Sequence, residues 1–273
     1  MPAFLLQSSK RTTCAGLLFR TCLKIFTKLS LPTDRDSVII DSESLAYNGE
    51  KQMKRAMTQE AKDARASEIL DAAEKMLLTT DYKDLKMSEI ARATGISSGL
   101  IFTYFKTKET LFLSLLWREF EKRVDYLEKV IAESRPAGFD GIRRLVLAEL
   151  EHVLYESPVY IKLEPMRPSI LEKNVDPEFL AAMQQKLSEK VIGLCEMLSR
   201  GGVVTKEDVL EIFFVEIGMI ISGGLQEALT PEQPEGERAA FDMRQSIVER
   251  MACYLEGHRL AREQENKRGK GES

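Results

Sequence analysis

Apolar residues recur every three or four positions along most of this chain, and the strict alternation of a half-buried strand is almost absent. The pattern predicts an all-α protein. A first helix spans about Thr58–Thr79, with Ile69, Ala72, Ala73, Met76 and Leu77 on one stripe. Two short segments follow, Met87–Thr94 and Ser98–Phe105, joined by Gly95-Ile96-Ser97. Gly95 suits the left-handed conformation that closes a helix, and Ser97 or Ser98 supplies the N-cap of the next one. Ile90, Ala91, Ile96, Ile101 and Phe105 then face inward, with Tyr82 and Leu85 closing a small core. A long helix follows over Lys108–Ser134, N-capped by Thr107, and another over Phe139–Glu156. Pro165 and Pro168 must bend or break the piece Val159–Leu171. Asp176-Pro177 opens a helix that stops at Gly201-Gly202. Thr205–Leu229 opens on the capping box Thr205…Asp208 and is apolar around most of its circumference. Ala239–Ala261 carries Ile247, Met251, Tyr254 and Leu255 on one face.

Two short helices crossing through a tight turn make a helix-turn-helix, whose second member enters a DNA major groove with its N-terminal residues leading. Here Ser98, Gly99 and Leu100 lead, and Thr103 and Tyr104 follow a turn later. An ordinary helical corner has the same spacing, so spacing alone leaves both readings open. The net charge of −4 excludes a chain coated in basic residues. Location decides DNA affinity, however, and Lys83, Lys86, Arg92, Lys106 and Lys108 gather around the motif.

The four cysteines show no paired metal spacing, which fits a reduced, cytoplasmic protein. Residues 1–57 begin basic and Ser/Thr-rich, with no acidic residue before Asp34, as in a transit peptide or a membrane-surface helix. They read rather as a disordered extension, or as translation begun upstream of a start at Met53 or Met57. The apolar run is too short to span a bilayer, so no membrane association is expected. Lys51, Lys54 and Arg55 would serve as a basic arm. With two histidines, no Gly-rich phosphate loop and no nucleophile elbow, the chain reads as no enzyme, with no cofactor or metal. Its acidic residues fit solvated helix faces.

The runs ILDAAEKMLL (Ile69–Leu78), DYKDLKMSEIA (Asp81–Ala91) and TGISSGLIFTYFKTKETL (Thr94–Leu111) resemble the DNA-binding domain of TetR-family transcriptional regulators. The resemblance includes the Tyr104-Phe105 pair and the Lys108-Glu109 helix opening. It implies a three-helix helix-turn-helix DNA-binding domain over 58–113, a larger helical ligand-binding and dimerisation domain over 114–264, and a disordered charged tail over 265–273. It places Ser98, Gly99 and Leu100 at base edges, Thr103 and Tyr104 at phosphates or bases, and Lys108 with its helix N-terminus on a phosphate. Ser88, Ser97 and Lys106 complete the expected DNA surface. Two positions depart from the family. Lys86 stands where a capping Thr is common, with Ser88 as a partial substitute, and Phe102 stands where Tyr is common. No Arg, Asn or Gln occupies Ser98–Leu100, so specificity falls to apolar contacts with thymine methyls, to DNA shape, or to residues outside the motif.

In the second domain Trp117, His152, Tyr155, Met166, Phe179, Met183, Phe213 and Met219 are candidates to line a mostly apolar cavity for a small hydrophobic effector. Plain core packing suits most of them better. Gly218 and Gly223-Gly224 would let a partner helix approach closely, and the resemblance implies a homodimer through the last two helices. Two recognition helices must reach successive major grooves roughly 34 Å apart. The expected function is a homodimeric repressor that leaves a palindromic operator on binding its effector. A helical sensor or carrier without sequence-specific DNA binding is the alternative.

Overall fold

The computed structural model describes residues 45–229 and 243–271. Every regular element among them is helical. The chain divides into two compact units, Met1–Arg55 and Ala56–Ser273, and the architecture below is that of the second. Expectations for residues 1–44, including the leader or extension and Cys14 and Cys22, lie outside the described residues, as do the side chains of Lys51, Lys54 and Arg55.

Helix α1 (Leu45–Thr79) starts upstream of the expected Thr58. Its Ile69, Ala73 and Leu77 are buried against Leu85, against Ile90 and Ala91 of α2 (Met87–Ala93), and against Ile101 of α3 (Ile101–Tyr104) and Phe105. Gly95, at φ +70°, turns the chain out of α2. There the N–H of Ile96 donates to the Ala91 carbonyl at 3.0 Å and that of Gly95 to Arg92 at 3.1 Å, a Schellman closure. The Ser97 hydroxyl accepts from the Leu100 N–H at 3.2 Å, so Ser97 is the cap. Ser98–Leu100 form a turn, which makes the regular part of α3 shorter than the expected Ser98–Phe105. No side chain caps α2: Lys86 cannot accept, and Ser88 lies inside the helix at its second residue, where it makes no substitute cap.

Helix α4 (Lys108–Ser134) keeps both expected ends, and the Thr107 hydroxyl accepts from the Thr110 N–H at 3.0 Å. Its buried Leu111, Phe112 and Leu115 face the first domain, and Phe120, Val124 and Leu127 continue the core into the second. There follow α5 (Gly138–Glu156), α6 (Pro158–Leu163), a 3-10 turn at Glu164–Met166 and a π turn at Arg167–Leu171. The two prolines break this region as their missing N–H groups require. Asp176 caps α7 (Pro177–Ser199), accepting from the N–H groups of Glu178 and Phe179. Helix α8 (Lys206–Leu229) opens on the reciprocal Thr205–Asp208 box, with N–H···O distances of 2.8 and 3.1 Å. Helix α9 (Met243–Gly271) packs on α5 and α8 through buried Ile247, Met251 and Leu255. It runs past residue 264, where a disordered tail was expected.

The glycine pair on α8 serves its own subunit. A Cβ on Gly223 would strike Ile247 of α9, and one on Gly224 would strike Pro165. The expected close approach of a second subunit therefore does not use this pair. Gly218 is different: it is exposed, with nothing within 4 Å of an added Cβ.

Candidate nucleic-acid interface and effector domain

Burial of Ile101 and Phe105 turns the opposite side of the α3 region outward. Ser97, Ser98, Gly99, Leu100, Phe102 and Thr103 are all exposed, and Tyr104 is half-buried against the core. The Thr103 hydroxyl donates to the Leu100 carbonyl at 2.8 Å, so it stiffens the helix it sits on. Ser88 is exposed near the start of α2.

Two lysines of the expected surface have partners within the subunit. Lys106 pairs with Asp176 at 3.3 Å. The Phe179 N–H, Lys106 and the Glu178 N–H together hold the Asp176 carboxyl below its usual range. Lys108 donates to the Tyr82 carbonyl and stands 4.2 Å from the centroid of the Tyr82 ring. Burial lowers its pKa against the opposing pull of Glu109 and Asp84. The Tyr82 phenol is itself pushed up to about 12 by burial and by Glu109, and its ring meets Phe112 edge-on at 5.1 Å. Lys108 thus braces the link between α1 and α2 against the start of α4.

Further contacts join the helix-turn-helix to the larger domain. Arg118 of α4 grips Asp71 and Glu74 of α1, both at 2.6 Å. Lys162 of α6 donates to the Leu77 carbonyl at 3.0 Å, in the last turn of α1, where the helix dipole favours a cation. The Thr107 hydroxyl donates to the Asn174 carbonyl at 3.2 Å, beside the Lys106–Asp176 pair. The first domain is therefore held by α4, by α6 and by the loop before α7.

Within the second domain, Arg123 of α4 is buried between Glu149 of α5 and Glu216 of α8. Its guanidinium is bidentate to Glu149, reaches Glu216 at 2.6 Å and takes the Tyr160 hydroxyl at 3.3 Å. Burial works against the Arg123 charge, but the two carboxylates outweigh it and hold the group charged well above its usual range. Burial also drives Glu216 well above the ordinary carboxyl range, Arg123 opposing and Glu149 adding to the rise. Two carboxyls thus share one buried cation. The expectation that the acidic residues sit on solvated helix faces fails for Glu149 and Glu216. The residues lie far apart in sequence on three different helices, so no local signal marks them.

Two cavities flank this cluster. The larger, about 280 Å³, lies between α1 and α4–α6, lined by Glu74, Leu78, Glu119, Lys122, Arg123, His152, Glu156, Ser157, Pro158 and Val159. The smaller, about 50 Å³, is an apolar slot among α4, α5, α7 and α8 that ends on Arg123, Glu149 and Glu216. His152 lines the larger cavity and stacks on Tyr126 at 3.9 Å. Phe213 lines the smaller. Trp117, Tyr155, Met166, Phe179, Met183 and Met219 line neither. Trp117 stacks on Phe120 at 5.6 Å, Tyr155 lies beneath the Arg244 guanidinium, and the others pack against the core.

The described residues thus form a helix-turn-helix braced on a larger all-helical domain. Residues 69–115 match the family model of bacterial regulatory proteins, tetR family. That match covers the helix-turn-helix and the start of α4. It is 24% identical over 194 residues to an HTH-type transcriptional repressor of Mycobacterium tuberculosis, covering 68% of this chain and 94% of that one. It is 31% identical over 70 residues to the fatty acid metabolism regulator protein of Bacillus subtilis, covering 26% and 36% respectively. Among solved structures, the fatty acid degradation regulator of Bacillus halodurans aligns with 70% of this chain and 94% of that one, at 18% identity and a TM-score of 0.47. Among the described residues no helix is long and apolar enough to cross a membrane.

Proposed function

We propose that the chain is a homodimeric repressor that inserts Ser98–Tyr104 of each subunit into one major groove of a palindromic operator and leaves it on binding a small effector. The observation that carries the DNA contact is the exposure of Ser98, Gly99, Leu100, Phe102 and Thr103 directly over buried Ile101 and Phe105. Pairing through the last two helices is supported by Phe214 and Leu225 of α8, both more than half exposed, with exposed Gly218 between them. Exposed Cys253, Gly257 and Leu260 lie at helical spacing on α9. A four-helix interface would bury these stripes.

The larger cavity is the proposed effector site, because one wall is α1 of the DNA-binding domain and the others belong to the second domain. An occupant that spread these walls would strain the Arg118 and Lys162 contacts that fix α1. Its lining of Glu74, Glu119, Lys122, Arg123 and Glu156 suits a polar or amphipathic effector better than the small hydrophobic one expected from sequence. Moving a two-state equilibrium from 1:99 to 99:1 requires about 5.5 kcal/mol of differential binding.

Retention of duplexes from a random pool, followed by fluorescence anisotropy, tests the DNA contact. The wild type should enrich an inverted repeat and bind it with steep salt dependence, while Ser98→Glu, at an exposed position, should fold normally and lose binding. Equal binding by Ser98→Glu would contradict the proposed surface.

A further inference from the structure

The recognition segment offers few polar base readers. The Ser97 and Thr103 hydroxyls are engaged with the segment's own backbone, Lys106 with Asp176 and Lys108 with Tyr82. The Ser98 hydroxyl and the Tyr104 phenol remain, and neither can make the bidentate pairing by which Arg, Asn or Gln tells one base pair from another. The largest exposed side chains on the segment are instead apolar: Leu100 is 43% and Phe102 47% exposed.

Their placement follows from helical geometry. Successive residues turn by about 100°, so with Ile101 pointing into the core Leu100 and Phe102 stand on its two flanks. Thr103 then points outward, and Gly99, in the turn that leads into the helix, is exposed. Nothing inside the protein requires a glycine at 99: an added Cβ would meet nothing within 4 Å, and its φ lies outside the left-handed range. The missing side chain creates room only toward whatever approaches from outside.

We infer that Gly99 lets the segment sit close against the groove floor, where Leu100 and Phe102 flank it and select thymine through its C5-methyl group. This rests on the proposed DNA-binding role, and it chooses among the three sources of specificity that the sequence leaves open. The thymine methyl is the apolar feature of the major-groove edge, so an apolar pair beside a bare backbone is complementary to T-bearing steps and indifferent to G·C donors and acceptors. Exposed Lys86 and Arg92 lie nearby on the α2 segment for phosphates, which position the protein without reading sequence.

The test uses the full chain and the duplex it enriches from a random pool. Each thymine of one half-site is replaced in turn by deoxyuridine, which removes only the methyl group, and affinity is measured by anisotropy. One or two positions per half-site should lose about fourfold, the value of one buried methyl. Leu100→Ala or Phe102→Ala, both at half-exposed sites that leave the core intact, should bind thymine and deoxyuridine duplexes alike at the corresponding position. Gly99→Ala should keep its thermal midpoint while losing at least tenfold in operator affinity. Wild-type affinity unchanged by deoxyuridine at every position would overturn the inference while leaving DNA binding intact, and so would an unaffected Gly99→Ala. Failure to enrich any duplex would overturn the DNA-binding reading itself, and this inference with it.

Discussion

Replacing Arg123 by Met keeps most of the side-chain volume and removes the one cation between two buried carboxyls. Arg123 and Glu149 are each 3% exposed at the side chain and Glu216 is 4%, so water cannot take over the lost charge. Burial already favours the neutral form of Glu216, and without the cation a carboxyl must take a proton or remain as a bare buried charge. Neutralising a carboxyl of ordinary pKa about 4.3 at pH 7 costs about 3.7 kcal/mol. That agrees with the roughly 3–5 kcal/mol lost when a buried ion pair loses one partner. At about 2–4 °C per kcal/mol for a domain of this size, the thermal midpoint should fall by about 6–20 °C. Urea and thermal unfolding followed by far-UV circular dichroism measure both quantities. The pH dependence has a definite sign. Carboxyls whose folded pKa is raised give stability that is fully present below their unfolded pKa and is lost as pH rises through the folded value. The deficit of Arg123→Met should therefore shrink on acidification toward the ordinary carboxyl range. Adding Glu149→Gln and Glu216→Gln should restore most of the loss at pH 7. A deficit below about 1 kcal/mol at pH 7, or one indifferent to pH, would refute the reading of a desolvated cluster.

Glu216→Gln alone imitates the protonated carboxyl, so it should cost little at neutral pH and flatten the decline in stability as pH rises through the elevated Glu216 pKa. A decline as steep as in the wild type would assign the titration elsewhere. Thr107→Val removes the hydroxyl that caps α4 and should lower stability by about 1 kcal/mol in urea unfolding. Ile90→Ala empties a fully buried site in the helix-turn-helix core and should cost about 2–5 kcal/mol, read from the urea midpoint. Lys162→Met should cost less than about 1 kcal/mol globally yet speed hydrogen exchange in the last turn of α1. Unchanged exchange there would mean that Lys162 does not clamp α1.

Interactions between near neighbours in sequence are the ones legible in it. Gly95 ends α2, Thr107 caps α4, Asp176-Pro177 opens α7 and Thr205–Asp208 opens α8, because each depends on residues at most five positions apart. The inward set Ile90, Ala91, Ile101 and Phe105 follows from helical periodicity in the same way. What depends on distant partners was not legible. The partners of Lys108 and Lys106 within the subunit, Tyr82 and Asp176, lie too far off in sequence for any local spacing to reveal them. Gly223 and Gly224 look like an intersubunit surface until Ile247 and Pro165 occupy it. Glu149 and Glu216 carry no local mark of burial, since a helix tolerates a glutamate on either face and only tertiary packing brings both to Arg123. The cavity lining escaped for the same reason: of the expected set, the larger cavity takes only His152, and its charged wall comes from three different helices.

Hydroxyl-radical footprinting of the enriched duplex, with the wild type and Ser98→Glu side by side, tests the central claim most directly. Two protected patches related by a dyad and centred roughly 34 Å apart, absent with Ser98→Glu, are the predicted result. A single patch, or protection that survives Ser98→Glu, would contradict a paired insertion of Ser98–Tyr104 into successive major grooves.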